Sequence, residues 1–234
     1  MAAKHHIENG IIFVEYGTGL KVVGYSDLSD TRTRLTIPEC LLIPCNGQLL
    51  KWYVSDIAKC AFENNKHIQV LELPKSLRYI DVGAFRNCTN LKTVIASFTT
   101  WTNASINIGK QAFSHCSNLQ IVDLRKPIMW LTQEAFSFCP NLRQFNSPIL
   151  DIAKHVFTPC KIERLTFLDK CKIHGDSIEN SNVQEIVFQG KLGYMPQKTF
   201  QWLKKSNVKI CCCFDSELQD LAYEGIPVEV VYPF

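Results

Sequence analysis

The sequence lacks any apolar run long enough to cross a membrane. A transmembrane helix needs about 20 predominantly apolar residues, and no stretch approaches that length. At the N-terminus only Ile11 to Val14 form a continuous apolar run before Glu15, which is too short for the apolar core of a secretory signal. We therefore expect a soluble protein that is not inserted into a membrane, carries no export signal and is cytoplasmic.

Motifs of the common enzyme classes are also missing. The chain contains no Gly-x-Ser-x-Gly, no P-loop, no Gly-x-Gly-x-x-Gly and no His-Glu-x-x-His, so no hydrolase, nucleotide-binding or zinc-protease site is indicated. His115 and His155 fall at variable positions of turns, where solvated histidines are common. We expect no catalytic residue, no cofactor and no enzymatic activity.

Charge of one sign is not concentrated anywhere in the chain. Lys and Arg total 25 against 22 Asp and Glu, and the positive residues are scattered. Nucleic-acid binding usually requires a basic patch or run. We therefore expect no nucleic-acid partner. The hydrophobic content of 46% suits a folded chain with a large core.

Eleven cysteines are present, but no pair has the Cys-x-x-Cys spacing of a typical zinc site. The run 211–213 alternates between the two faces of a strand, and Cys40 and Cys45 could join His5 and His6 only on paper. We expect no metal site. Because the count is odd, at least one thiol stays unpaired. Stacked coils could bring cysteines within disulfide range, but reduced thiols acting as small buried hydrophobes are favoured.

Most cysteines follow a repeat. The stretch GAFRNCTNLKTV at residues 83–94 has near copies at 111–122, QAFSHCSNLQIV, and at 134–145, EAFSFCPNLRQF. A second column of apolar residues, of the form Leu-x-x-Val-x-Leu, recurs every 20 to 28 residues. This is the period of a leucine-rich repeat. The sets are Ile68, Leu71, Leu73; Leu91, Val94, Ala96; Leu119, Val122, Leu124; Leu142, Phe145, Ser147; Ile162, Leu165, Phe167; Val183, Ile186, Phe188; and Val208, Cys211, Cys213.

An asparagine precedes most of these sets. Because Asn tolerates left-handed backbone geometry, it is expected at the corner where the chain enters a strand. One coil is then a short strand, a corner, and a helical or 3₁₀ turn that points the Phe inward. Stacked coils would share one core. The asparagines are Asn90, Asn118, Asn141, Asn182 and Asn207.

The motif IDVGAFRNCTNLKTV, preceded by LELPKSLRY, resembles the BspA-like leucine-rich repeat. The resemblance implies an α/β solenoid, a right-handed coil with short parallel strands on one face and short helical or 3₁₀ turns on the other. Residues 1–234 then form one domain. It comprises a strand-rich cap with a first partial repeat at 1–50, about seven repeats at 51–213, and a C-terminal cap at 214–234. BspA-like proteins are often secreted or surface-exposed, and several are adhesins, so surface display is the alternative location.

Two features are candidates for partner binding. The first is the outward surface of the strands, which is mixed in character and suits a protein partner better than a small metabolite. The second is the insertion SFTTWTNASIN at residues 97–107, because insertions in solenoids often map to the binding face. The candidate residues are Val70, Thr93, Ile121, Gln144, Arg164 and Glu185; Glu72, Ile95, Asp123, Asn146, Thr166 and Val187; and Phe98 and Trp101 of the insertion.

The sequence therefore predicts a non-enzymatic scaffold that recognises a protein partner, with its oligomeric state open. The alternatives are a self-associating structural subunit and, with less support, a thiol-dependent enzyme or a metal-binding protein.

Overall fold

A computed structural model describes residues 4–27, 29–212, 225–227 and 229–230. The proposed C-terminal cap at 214–234 and Cys213 therefore lie mostly or wholly outside the described residues. The strands are β1 (His5–Glu8), β2 (Ile11–Tyr16), β3 (Gly19–Tyr25), β4 (Arg34–Thr36), β5 (Cys40–Cys45), β6 (Gln48–Ile57), β7 (Val70–Leu73), β8 (Tyr79–Ile80), β9 (Thr93–Ala96) and β10 (Ile106–Ile108). They continue with β11 (Ile121–Asp123), β12 (Ile128–Leu131), β13 (Gln144–Phe145), β14 (Ile149–Ile152), β15 (Arg164–Ile173), β16 (Glu185–Phe188), β17 (Leu192–Tyr194), α1 (Gln197–Lys205), β18 (Lys209–Cys212) and β19 (Glu229–Val230).

The predicted strand column forms a continuous parallel ladder, which we call the first ladder. It consists of β4, β7, β9, β11, β13, the first half of β15, β16, β18 and β19, each paired with the next. Leu71, Val94, Val122, Phe145 and Leu165 point inward and are at most 3% exposed. The solenoid with a sheet built from successive repeats is therefore confirmed.

A second parallel ladder runs beside the first, and the repeat pattern did not reveal it. It contains β3, the end of β6, β8, β10, β12, β14, and the second half of β15 with β17. Most of its inward residues are isoleucine or leucine, with Val22, Val54 and Cys171 as exceptions. These strands are only two to four residues long in the middle coils, so their alternation is too brief to stand out in the sequence.

The predicted helical or 3₁₀ side of each coil is not confirmed. The segments that carry the Phe and Cys are successive turns, and α1 is the one helix among the described residues. In each segment some N–H groups bond within the turn while alternate ones bond to the neighbouring coil. The N–H of Phe85 donates to the carbonyl of Ala112, and that of Phe113 to Ala135, both at 2.8 Å. A helix would use these donors internally, so the links between coils require turns.

The repeated aromatic and thiol residues build the centre of the core. The rings of Phe62, Phe85, Phe113 and Phe136 are stacked, with centroids 5.1 to 5.2 Å apart. Four thiols each donate to the carbonyl of the Phe in the preceding coil, as Cys139 does to Phe113 at 3.2 Å; the others are Cys88, Cys116 and Cys160. The described cysteines from Cys40 to Cys211 are free thiols, and the buried ones act as small core residues, as predicted.

The asparagines before the strands have a different role from the predicted one. Asn90, Asn118 and Asn141 are not in left-handed conformation; of the asparagines in this column only Asn182 has a positive φ, of 49°. Instead, the amide groups of Asn118 and Asn141 each donate to a backbone carbonyl of the preceding coil at 2.8 Å. They join coils rather than shape a corner.

Unit seven of the predicted repeat is displaced by one residue. Ile186 lies opposite Ile210 and Phe188 opposite Cys212, so the inward residues are Ile210 and Cys212 rather than Cys211 and Cys213. A one-residue shift turns every side chain of a strand to the other face. The helix α1 precedes this strand and replaces the usual turn segment, which removed the Phe-x-x-Cys landmark that set the register elsewhere.

The N-terminal end is capped by antiparallel strands. The strands β1, β2 and β3 pair in order, and β5 pairs with the first part of β6 as a hairpin. Asn46 and Gly47, the two loop residues, both have positive φ, which is the geometry of the commonest two-residue hairpin turn. Of the helices in the described part of the chain, none is long and apolar enough to span a membrane.

Candidate partner-binding site

The outward residues of the first ladder form two columns, which together we call the sheet face. The second column continues past β13, because the N–H of Asn146 donates to the carbonyl of Val122 at 2.9 Å. The first column is in register from coil to coil and contains Val70, Thr93, Ile121, Gln144, Arg164 and Glu185. The second contains Glu72, Ile95 and Asp123 in register, then Asn146, Thr166 and Val187.

The middle of the sheet face is largely uncharged. Thr93, Ile95 and Ile121 are half-exposed, and Gln144 and Asn146 are exposed. Aliphatic and amide groups therefore stand next to one another at the strand spacing of about 4.8 Å. Removing water from such a mixture of groups costs little free energy, and the amides can still form hydrogen bonds. The centre of a protein interface requires both properties.

Each end of the sheet face carries charged residues, and the charges at each end form ion pairs among themselves. At the N-terminal end Arg34 forms an ion pair with Glu72. At the C-terminal end Arg164 approaches Glu185 at 3.0 Å, and Lys209 approaches Glu229 at 2.8 Å. Exposed ion pairs of this kind contribute little stability. Their effect on recognition is to frame the neutral centre with polar groups.

One predicted site residue is not available to a partner. Val187 is 6% exposed, and its neighbour in the same column, Cys211, is also buried. Beside them the Cys211 thiol lies 3.3 Å from the Glu185 carboxylate. Alternation along the strand predicts that Val187 is exposed, but the packing of the last coils covers it.

The insertion after β9 is attached to the following coil. The Arg125 guanidinium donates to the carbonyl of Thr99 at 2.7 Å, and the N–H of Thr102 donates to the carbonyl of Arg125 at 3.1 Å. Phe98 is half-buried, whereas Trp101 is 55% exposed. The two aromatic residues that the sequence grouped together therefore lie in different environments.

Phe98 extends the sheet face into a small cavity. A cavity of about 280 Å³ lies between the insertion and the second column. Its wall joins three predicted site residues of the sheet face to the insertion, while Trp101 lies outside it. Because the wall combines aromatic, aliphatic and charged groups, it can accept one amphipathic side chain of a partner. The wall of this cavity includes Glu72, Ile95, Phe98, Asp123 and Arg125.

A buried lysine, Lys126, lies next to the insertion, and no pattern in the sequence indicated its burial. Lys126 is 2% exposed, and its ammonium group donates to the carbonyls of Lys75 and Leu77 at 2.9 and 2.8 Å. The ammonium also lies 5.8 Å from the centroid of Phe98. Burial lowers the pKa of Lys126 to about 8. The flanking Arg125 and Pro127 gave it the appearance of a loop residue.

The buried thiols are poor nucleophiles in this environment. Burial raises the pKa of Cys88 and of Cys160 to about 12, and those of Cys116 and Cys139 rise as well. The thiolate is the reactive form of cysteine, so these residues have structural roles. Within residues 4–27, 29–212, 225–227 and 229–230, no three His, Cys, Asp or Glu side chains lie close enough to hold a metal ion.

A family model for the BspA type leucine-rich repeat region matches the chain in six copies, over residues 55–177 and 106–223. These matches together cover well over half of the sequence and coincide with the coils described above. No curated protein matches the sequence.

Among solved structures, a leucine-rich cell surface protein from Faecalibacterium prausnitzii is similar, with a TM-score of 0.64 and 20% identity. The match covers 93% of this chain and 56% of that one, so the chain spans little more than half the length of this relative. A leucine-rich repeat protein from Bacteroides capillosus has 24% identity over 50% of this chain and 79% of its own, with a TM-score of 0.41. The first of these likenesses supports the fold.

Proposed function

Because the chain belongs to the BspA-type leucine-rich repeat family, we propose that it is a recognition module that binds another protein through the sheet face. The observation that carries this proposal is the uncharged centre of the first column, with Thr93 and Ile121 half-exposed and Gln144 exposed, framed by paired charges. Repeat solenoids use such extended surfaces for binding. The proposed role needs no catalytic group.

The cavity beside Phe98 gives the surface a place for an anchoring side chain. Aromatic and arginine side chains dominate the energetics of most interfaces. The carboxylates of Glu72 and Asp123 line the same cavity as Phe98, so an arginine or lysine of the partner would place its stem on Ile95 and its charge beside them. In this proposal Trp101 contributes as an exposed contact at the rim.

The relative from Faecalibacterium prausnitzii is a cell surface protein by its description. We propose the same location for this chain, in place of the cytoplasmic one expected from its N-terminus, which the comparisons do not support. Surface display and protein recognition are compatible, since a surface module meets its partner outside the cell.

The proposal is tested by capture of partners from the source organism and its surroundings. The double variant Ile121→Glu with Gln144→Glu places two charges in the neutral centre, and we expect it to lose the partners that the wild type retains. The control is Gln133→Glu, which makes the same amide-to-acid change at an exposed position away from the sheet face. An unchanged partner set for the double variant, with its fold intact by circular dichroism, would remove the sheet face from consideration.

Self-association remains a second candidate because of the N-terminal hairpin. Leu42 and Leu49 are 59% and 64% exposed, and Leu50 and Tyr53 are 42% and 49% exposed. The strand β5 carries no charged residue and pairs only with β6 among the described strands, and uncharged strand edges tend to pair with other chains. Light scattering decides this point: a stable oligomer that Leu42→Lys dissociates would favour the structural role.

A further inference from the structure

The outward side of the second ladder presents a line of flat and polar side chains, which we call the second face. Its inward neighbours, from Ile57 to Ile173, are at most 1% exposed, so alternation directs the second face outward. The sequence did not indicate this line of residues, because it did not indicate the second ladder on which the residues lie. Its members, in register from coil to coil, are Asp56, Tyr79, Asn107, Trp130, Asp151, Lys172 and Tyr194.

Aromatic rings occur at three points along this line. Trp130 is 57% exposed and Tyr194 is 51% exposed, while Tyr79 is half-exposed. With strands about 4.8 Å apart, Tyr79 and Trp130 are separated by about 10 Å, and Trp130 and Tyr194 by about 14 Å. Large exposed aromatic side chains are unusual on a solvated sheet, because each leaves a wide apolar surface in water. The rings therefore form a row of stacking surfaces parallel to the solenoid axis.

Between the rings stand planar hydrogen-bonding groups. Asn107 separates Tyr79 from Trp130, and its side-chain oxygen is shielded and without a hydrogen-bond partner among the described residues. The oxygen is too shielded for a ligand to reach, so it does not contribute to the outward surface of the second face. Asp151, on the other side of Trp130, is held 3.3 Å from the His174 ring. The His174 ring in turn lies 5.8 Å from that of Tyr194.

The charges along the line cancel. Lys21 lies opposite Asp56 at one end, and Asp151 opposite Lys172 towards the other, while the stretch from Tyr79 to Trp130 carries no charge. A polyanion such as a nucleic acid or a sulfated glycan would need a surplus of Lys and Arg here. No aliphatic side chain stands in the line, although aliphatic neighbours usually surround aromatic anchors at protein interfaces. The complementary ligand is neutral, rich in hydroxyl groups and has flat apolar faces.

We propose that the second face binds a neutral, extended glycan that runs along the solenoid axis. The C–H faces of its sugar rings stack on Trp130 and Tyr79, since the π face of an aromatic ring attracts the partly positive hydrogens. Its hydroxyl groups bond to the Asp151 carboxylate, which accepts, and to the exposed Lys172 ammonium, which donates. The second face shares no residue with the sheet face, so the two can be tested separately.

The experiment uses the full chain and follows tryptophan fluorescence during titration with cellohexaose and, separately, with chitohexaose. We expect a saturable change with at least one of them, and binding roughly tenfold weaker in Trp130→Ala, by analogy with the loss of one stacking platform in other binding grooves. Isothermal titration calorimetry supplies the same comparison without relying on the fluorescence of Trp130. Tyr79→Ala is expected to weaken binding as well, with its fold checked by thermal unfolding.

The matched control is Phe138→Ala, which removes an aromatic side chain of similar exposure on the turn side and should bind the oligosaccharide as the wild type does. A heparin hexasaccharide should not compete. The proposal is overturned if neither neutral oligosaccharide binds, if Trp130→Ala binds as tightly as the wild type, or if the heparin fragment is preferred. It is also overturned if Trp130→Ala removes a captured protein partner but leaves oligosaccharide binding unchanged, since the second face would then be a protein interface.

Discussion

The turn side and the strand side of each coil use their residues in opposite ways. On the turn side Phe85, Cys88 and their counterparts are buried and bonded to neighbouring coils. On the strand side Thr93, Ile121 and Gln144 occupy equivalent places but share no residue type. The repeated residues therefore occupy the positions that join coils. The positions that vary are those whose side chains are free to meet something else.

The largest effect is expected from the phenylalanine stack. Phe113→Ala removes a ring that stacks on Phe85 and Phe136 and is 1% exposed. We expect the free energy of unfolding to fall by about 3–5 kcal/mol, because the cavity cannot close between stacked coils. Urea unfolding followed by circular dichroism measures the loss.

Phe138→Ala is the matched control for this substitution. Phe138 is 54% exposed and stacks on the His115 ring at 4.5 Å. Its removal should cost less than about 1.5 kcal/mol. Equal losses for the two variants would contradict the division between core and surface within one turn segment.

The next effect concerns pH. Burial raises the pKa values of the Cys116 and Cys139 thiols in the folded state, so the folded protein retains protons that the unfolded chain releases. Stability from these groups is complete below about pH 8.5 and declines as the pH rises above it, by about 1.4 kcal/mol per pH unit for each thiol. Urea unfolding at pH 8, 9 and 10 should show this decline.

The variant Cys116→Ala with Cys139→Ala should lose less stability than the wild type between pH 8 and pH 10. The lowered pKa of Lys126 acts in the opposite direction, but it is present in both proteins and cancels in the comparison. Cys45→Ala, which removes an exposed thiol, should leave the pH dependence unchanged. A double variant with the wild-type slope would show that these thiols do not set the alkaline limit.

A smaller effect is expected at the asparagines that join coils. Asn118→Ala deletes the 2.8 Å bond to the carbonyl of Thr89, and we expect a loss of about 1 kcal/mol. Asn103→Ala, at an exposed position in the insertion, should change stability by less than about 0.5 kcal/mol. If both changes were neutral by thermal unfolding, the asparagine column would have no stabilising role.

The smallest effect on stability is expected on the sheet face. Ile121→Thr should alter the free energy of unfolding by less than about 1 kcal/mol, because a half-exposed strand position tolerates another β-branched residue. The adjacent Val122→Ala should cost more than about 1.5 kcal/mol, since Val122 is fully buried. A large loss at Ile121 would mean that the sheet face is part of the structural core.

The periodic part of the chain was predictable from the sequence, and the irregular part was not. Leu91, Val94 and Phe85 recur at fixed offsets, so their burial and the parallel ladder followed from the period. The second ladder was missed because Tyr79–Ile80 and its partners are too short to show alternation. Unit seven was displaced by one residue because α1 replaced the turn motif that sets the register elsewhere.

The candidate site divides in the same way. The columns of the sheet face followed from alternation, but alternation could not show that Val187 is covered or that Phe98 shares a cavity with Ile95. Each depends on contacts between coils that are distant in sequence. The position of Lys126 depends on how the insertion leaves the coil, which no local pattern records.

By itself the sequence determined the family, the spacing of the coils and the residues that fill their centre, because a stacked core imposes the same requirement on every repeat. Only the tertiary structure decided that the turn segments form hydrogen bonds between coils, that asparagine amides join coils, and that the aromatic side chains of the second face are exposed to solvent. These features depend on which backbone groups and side chains of successive coils come into register. That register is a property of the stack and not of any single repeat.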